Sequence, residues 1–368
     1  MVLRRYCALD CSAALLICAL ALIVQDGSAQ QKDTTAVPAA ALPAVIVSGF
    51  VDTYFDHNFA SPKTRVNELR NFDVSEDQFI LSMAEVSVQR AASPVGFRVD
   101  IDLGQGNDIV QSGATGSLAN LRQAYVTVVA PVGSGVTIDV GKFVTHCCYE
   151  VIPAKDNFNY SRSLLFAWSV PYYHIGARAS YAPSAALTLN GYIYNGWNGT
   201  EVNPGKTFGF EGVYAPASSL SFTLNWLGGP ALPDTVSNKY RNIYEIIATY
   251  QATEKLTLAL NGVYGEDHPY LLTALWRGVA AYAKYALNDV SAFAVRAEVF
   301  SDPQGFMTSA PQSLYETTLT YEFRPFQNLI LRSEYRYDWS TVASFDGDTS
   351  PHSRRNQSTL GMGAIVTF

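Results

Sequence analysis

Apolar and polar residues alternate along this chain in short runs, and the period is two. Phe97, Val99, Ile101 and Leu103 interleave with Arg98, Asp100 and Asp102. Leu220, Phe222, Leu224 and Trp226 interleave with Ser221, Thr223 and Asn225. Leu360, Met362, Ala364, Val366 and Phe368 interleave with Thr359, Gly361, Gly363 and Thr367. Successive side chains of a strand point to opposite faces, so each run has one oily face and one small or polar face. The pattern predicts an all-β chain of about sixteen strands, near 45–57, 78–90, 95–104, 120–130, 135–144, 173–181, 187–195, 206–214, 219–227, 241–250, 255–264, 274–285, 290–300, 314–323, 328–339 and 357–368. Counts from fourteen to eighteen fit the same pattern. Alternation alone does not say where the oily faces look. A soluble sandwich would turn them inward, a transmembrane barrel outward to lipid.

The connections favour the barrel. Seven are short and rich in turn residues: 91–94, 131–134, 182–186, 215–218, 251–254, 286–289 and 324–327. They alternate with longer ones, as the short periplasmic turns and long extracellular loops of a closed antiparallel transmembrane β-barrel do. Tyr181, Tyr214, Tyr250, Tyr285 and Phe323 each stand just before a short turn, about 33–38 residues apart, which suits one hairpin plus one loop. Aromatics at a common height make a girdle at the headgroup level. Trp197, Trp226, Trp276 and Trp339 are candidates for the opposite rim.

Composition sharpens this picture. Hydrophobic residues are 48% of the chain, yet no apolar run after the N-terminus is long enough for a membrane helix. Twenty-two Tyr, 19 Phe and 26 Gly beside 4 Met suit strands and girdles better than helices. A net charge of −7 argues against a nucleic-acid partner. Arg4 and Arg5, the apolar stretch Ala13 to Val24 and the small residues Gly27-Ser28-Ala29 read as an export signal over 1–29. Residues 30–44, with Pro38 and Pro43, read as a flexible periplasmic lead-in, and 45–368 as the barrel. Of five cysteines, Cys7, Cys11 and Cys18 fall in the signal. The remaining adjacent pair, Cys147 and Cys148, offers no disulfide framework and no CxxC metal site. The two either close a strained vicinal disulfide or stay reduced.

Several motifs carry a family resemblance. Gly49-Phe50-Val51-Asp52-Thr53-Tyr54 opens the first strand, and Gly141-Lys142-Phe143-Val144-Thr145 runs into Tyr149-Glu150-Val151-Ile152. Asn157 to Ser163 (NFNYSRS), Pro171 to Gly176 (PYYHIG) and Asn195-Gly196-Trp197 follow. The chain resembles the β-barrel porin-2 (OmpL-like) family over most of its length. The resemblance implies a channel for small solutes in a bacterial outer membrane. Cys147-Cys148 departs from it, since small residues are expected there.

In porins of this size the third long loop commonly folds into the lumen. Here that loop, about 145–172, carries Glu150, Lys155, Asp156 and Arg162, an opposed set of charges suited to a water-filled constriction. The expected lumen-facing partners are Arg98, Asp100, Asp102, Arg178, Arg296, Glu298, Arg332, Glu334 and Arg336. An arginine facing lipid at the midplane costs about 2–4 kcal/mol, so charges at strand centres need water beside them. The ladder Arg332-Glu334-Arg336-Asp338 would equally serve as a salt-bridge brace within the wall.

No catalytic arrangement is legible. His146 and Glu150 are four apart but share no helix, and no HExxH accompanies them. His174 has no Ser/Asp set around it. The expectation is therefore a non-enzymatic porin without cofactor or metal, passing small hydrophilic solutes or ions by passive diffusion. Its partners would be outer-membrane lipid, the solutes, and two further copies if it assembles as a homotrimer. The alternatives are a plugged barrel acting through its loops in adhesion or ligand binding, and a soluble tandem of β-sandwiches.

Overall fold

The computed structural model describes residues 42–112, 116–198, 205–231, 240–269 and 273–368. The expected export signal, and the lead-in up to residue 41, lie outside the described residues. Within them the strands are β1 (Val45–Asn58), β2 (Phe79–Arg90), β3 (Val95–Leu103), β4 (Leu121–Ala130), β5 (Val136–Val144), β6 (Tyr173–Ser184), β7 (Leu187–Tyr194) and β8 (Thr207–Ala217). The second half adds β9 (Leu220–Pro230), β10 (Tyr240–Gln251), β11 (Leu256–Asp267), β12 (Ala274–Asn288), β13 (Ser291–Asp302), β14 (Gln312–Phe326), β15 (Leu329–Ser340) and β16 (Asn356–Thr367). Two short helices, α1 (Gln105–Val110) and α2 (Leu164–Trp168), lie in the second and third long connections. Among the described residues no helix is long and apolar enough to cross a membrane.

Neighbouring strands pair antiparallel in chain order, and the sheet closes on itself through β1 and β16. Phe50 stands opposite Thr367 and Asn58 opposite Thr359. At the turn rim the seam ends in a reciprocal pair of bonds: Gly49 N donates to Phe368 O at 3.1 Å, and Phe368 N donates to Gly49 O at 3.0 Å. Closure leaves no strand edge, which a sheet standing in hydrocarbon cannot tolerate.

The oily faces look outward. On β14, Tyr315, Leu319, Tyr321 and Phe323 are exposed on the outside, while Glu316, Thr318, Thr320 and Glu322 are buried within. On β15, Tyr335 and Tyr337 are outside and Arg332, Glu334, Arg336 and Asp338 inside. On β16, Leu360, Met362 and Val366 are outside. A water-soluble protein does not present a continuous apolar band while burying its charges, so the sandwich reading falls.

Four of the seven short hairpin turns are tighter than expected. Two residues suffice after β6, β8, β12 and β14. In each of these hairpins the register shifts by a bulge, between Tyr181 and Ser184, Tyr214 and Ala217, Ala286 and Asn288, and Phe323 and Phe326. A bulge bends and twists the strand locally, which lets pairing continue into what reads as turn composition. Tyr181, Tyr214, Tyr285 and Phe323 are all exposed beside these turns, and Tyr250 beside the four-residue turn after β10, as a girdle requires.

The opposite rim needs a correction. Trp339 faces outward, where it packs on Tyr315 with ring centroids 5.1 Å apart. Trp276 points inward instead: it shares the buried parity of Ala274, Gly278 and Ala280 on β12, and its Nε1 donates to Ser169 O at 3.3 Å. Trp197 packs edge-on against Trp276 under the guanidinium of Arg241. An indole between bulky loop residues finds a partner for its N–H inside the barrel that lipid does not offer.

The outward face of β14 supplies a test. Leu319→Arg places a cation near the middle of a lipid-facing strand and should cost about 2–4 kcal/mol in urea-dependent folding into vesicles. A cost indistinguishable from zero would mean that this face does not meet hydrocarbon.

Candidate functional site: the barrel interior

The third long connection, 145–172, has little regular structure, so most of its backbone groups need partners from elsewhere. The inner face of β13–β16 provides them. Arg332 donates to the carbonyls of Ala154 (2.6 Å), Asn157 (2.7 Å) and Asn159 (3.0 Å), and pairs with Glu322 at 2.7 Å. Glu334 accepts from the amides of Tyr160 (2.6 Å) and Ser161 (2.9 Å). Arg296 donates to Ser161 O at 2.7 Å and pairs with Glu150 at 2.8 Å and Glu316 at 2.9 Å. Glu298 accepts from Leu164 N at 2.6 Å, at the start of α2. Arg336 donates to Arg162 O at 2.7 Å and pairs with Asp338 at 2.8 Å. Hydrogen bonds to charged groups are the strong ones, and here they converge on one strip of wall.

Neighbouring strands shape themselves to the same segment. Tyr160 donates its hydroxyl to Asp52 on β1 at 2.8 Å. Its ring occupies the space that a side chain at position 363 would fill, since a Cβ on Gly363 would lie 2.5 Å from it. That is why β16 carries a glycine at 363, whereas a Cβ at Gly361 would strike the Asp56 carboxylate. Across the barrel, Glu245 on β10 accepts from Cys148 N at 2.8 Å. Within the loop, Arg162 donates to the carbonyls of Tyr160 and Ile152 and lies over the Phe72 ring at 4.5 Å.

The expected site residues therefore divide into two groups. Arg296, Glu298, Arg332, Glu334 and Arg336, with Glu150 and Arg162 of the loop, are buried and bound to one another or to backbone. Lys155 and Asp156 pair with each other at 2.7 Å and remain partly exposed. They face β2–β8 across a cavity of about 530 Å³, lined also by Glu85, Arg98, Arg122, Tyr125, Arg178 and Glu211. A second cavity of about 340 Å³ shares Glu85, Arg98, Lys155 and Asp156 and reaches Arg324 and Phe368 near the turn rim.

Acids and bases alternate around this space. Arg122 pairs with Glu85, with Asp100 at 3.1 Å and with Asp102 at 3.3 Å. Arg98 meets Asp100 at 3.0 Å, and Arg178 meets Asp139 at 2.7 Å while lying over Tyr125. Glu211 accepts from Asn190 and Tyr192. Sequence reasoning missed Glu85, Arg122, Asp139 and Glu211. For Arg122 the reason is physical: the β3–β4 register shifts between Asp100 and Ile101, so Asp100 faces Gln123 while Ile101 faces Leu121. Arg122 is the extra residue of that bulge, and both Arg122 and Gln123 are buried, which breaks the count of two.

The remaining reactive groups are occupied structurally. His146 stacks on Tyr192 (centroids 4.2 Å apart) and has Nδ1 2.9 Å from Tyr194 Oη; His174 stacks on Tyr194 at 3.8 Å. Cys147 and Cys148 are free thiols. Burial, with the nearby charge of Glu245 adding to it, pushes both well above the usual thiol range. Among the described residues one set, His57, Glu76 and Asp77, brings three metal-ligating atoms within 4.8 Å of one another. Arg65 already pairs with both carboxylates, at 3.1 and 3.5 Å.

A closed sixteen-strand barrel with an apolar exterior, a charged interior and a loop folded against its inner wall has the architecture of the porin class. A family model described as "Putative beta-barrel porin-2, OmpL-like" matches residues 44–368, and the chain belongs to that family. Its place is the bacterial outer membrane. No curated protein is significantly similar in sequence. Solved structures with the same fold include an anion-selective porin from Comamonas acidovorans, at TM-score 0.60 and 10% identity over 88% of this chain and 99% of that one. The outer membrane channel DcaP of Acinetobacter baumannii aligns at TM-score 0.60 and 12% identity over 91% and 100%. OmpT of Vibrio cholerae, in a trimer form, aligns at TM-score 0.59 and 12% identity over 89% and 100%.

Thiol chemistry checks the burial of the loop. Maleimide should leave Cys147 and Cys148 unlabelled in the folded barrel at neutral pH and label both in urea, because the thiolate is the nucleophile. Rapid labelling of the folded protein would contradict the packing described.

Proposed function

We propose that this porin passes small hydrophilic solutes or ions by passive diffusion, and that the loop 145–172 narrows its lumen. One observation carries the reading. The loop is bound to the β13–β16 wall through buried arginines and glutamates, while the cavity on its other side is lined by charged groups. A solute's path would run between Lys155–Asp156 of the loop and Arg98, Arg122, Arg178, Glu85 and Glu211 of the wall. Opposed charges across a water-filled gap stabilise polar solutes in transit without holding them. With acids and bases interspersed, selectivity between anions and cations would be weak. The anion selectivity in the name of the Comamonas protein does not transfer, since only the fold is shared. A homotrimer fits this reading and is not required by it.

The plugged-barrel alternative has one observation in its favour: the first and second long connections also turn inward. Arg70 binds Asp338 at 2.8 Å, Trp168 Nε1 donates to Leu69 O at 3.0 Å, and Tyr54 donates to the Gln105 side chain at 2.6 Å.

Conductance separates the two. Refolded protein in planar bilayers should give discrete current steps; their absence under several salts would leave the plugged barrel. The double variant Arg332→Gln, Glu334→Gln breaks a buried network of a kind whose loss costs about 3–5 kcal/mol, and should release the loop and enlarge the steps. Arg178→Gln leaves Asp139 without its counter-ion and should move the reversal potential in a salt gradient toward cation preference. Unchanged steps in the first variant would sink the narrowing role, and an unchanged potential in the second would move the path away from Arg178.

A further inference from the structure

A cation stands on the outside of the barrel wall at β12. Arg277 lies three residues into β12 from its loop-side end, exposed on the outward face, between Gly278 and Trp276 that point inward. Among the described residues it makes no hydrogen bond and no ion pair. Glu266, one step nearer the loop rim on β11, instead accepts from Asn242 at 3.1 Å. A lipid-facing arginine at the midplane is costly; near the interface the cost falls toward zero, provided that the guanidinium finds polar groups.

The strands around Arg277 form two outward rows. Along the ladders, Tyr244 faces Tyr264, Tyr264 faces Arg277, Arg277 faces Ser301 and Ser301 faces Ser313. One pleat nearer mid-membrane runs Leu224, Ile246, Gly262, Val279 and Val299. Gly262 has no side chain, and a Cβ there would meet only the Ile246 side chain, at 3.4 Å. The wall is dented here, and these two rows line a cavity of about 880 Å³ on the outer surface of β9–β14. A polar row of one cation, two phenols and two hydroxyls thus stands above an apolar hollow, at the depth where headgroup gives way to acyl chain.

We propose that this face binds one lipid whose headgroup carries an anionic phosphate. The phosphate sits on Arg277, flanked by Tyr264 and the hydroxyls of Ser301 and Ser313, and an acyl chain fills the hollow over Gly262. Charge complementarity selects this occupant. A second protein would have to bring an acid to Arg277 at membrane depth, whereas an anionic lipid supplies phosphate and chain in the required order. The proposal rests on the outward orientation of these strands and not on conduction, so the two can fail separately.

Native mass spectrometry of the refolded full chain in non-ionic detergent tests it, with phosphatidylglycerol or a neutral diacylglycerol of the same chains added. The wild type should retain one phosphatidylglycerol, and Arg277→Gln should weaken that retention by about tenfold or more, the scale of one charge-assisted contact. Gly262→Leu, which fills the hollow and keeps the cation, should weaken it as well. Diacylglycerol should bind poorly to all three proteins, and inorganic phosphate should not displace the bound lipid. Each variant is first checked for the folded band in unheated gels. Equal retention by wild type and Arg277→Gln overturns the proposal, as does displacement by inorganic phosphate. A change of oligomeric state in Arg277→Gln with lipid retention unaltered also overturns it and assigns the face to contact between copies of the chain.

Discussion

A polypeptide in hydrocarbon has nowhere to put an unpaired backbone amide, and that constraint organises this molecule. It requires that the first strand meet the last. Here the last residue, Phe368, exchanges both backbone bonds with Gly49, so the ladder is complete from turn rim to loop rim. Once the ladder is closed, every strand has an inside and an outside. The chain's thin, alternating hydrophobicity is then sufficient, because each strand needs only one oily face.

The same constraint governs the interior. The irregular backbone of the loop 145–172 lies at the depth of the strands, and its amides and carbonyls must be matched as well. Arg332, Glu334, Arg296 and Glu298 do this from the wall, each bridging a strand to loop backbone. These four therefore act as fasteners, whatever else they do. Polar groups not spent in this way gather on the opposite side, along β2–β8, where a cavity of about 530 Å³ stands between the wall and Lys155 and Asp156 of the loop. The asymmetry between a fastened wall and a free wall makes the proposed path eccentric instead of central.

Much of the fold was legible because period-two alternation and turn composition are local signals, and in a barrel the local signal is the global one. Strands such as β14 and β15 could be placed to within about three residues and assigned an inner and an outer face. What could not be read came from three-dimensional events that alternation does not encode. The bulge at Arg122 turned an apparently outward residue inward. Trp276 looked like a girdle residue, although its buried parity with Ala274 and Gly278 was available in the sequence. The charges of β13 and β15 were identified as inward, but nothing local distinguishes a charge that meets water from one that meets a carbonyl of a distant loop. That distinction needs the loop's path, which depends on Tyr160 finding the space above Gly363.

The central claim is that the interior has a fastened side and a solvent side. Single cysteines placed at Glu211→Cys and Thr318→Cys, in a Cys147→Ser, Cys148→Ser background, measure this directly. A charged, water-borne thiol reagent added during bilayer recording should reduce the current promptly for the cysteine at 211 and leave that at 318, which is buried beneath the loop, unaffected. Equal block at both positions, or block at 318 alone, would contradict the account.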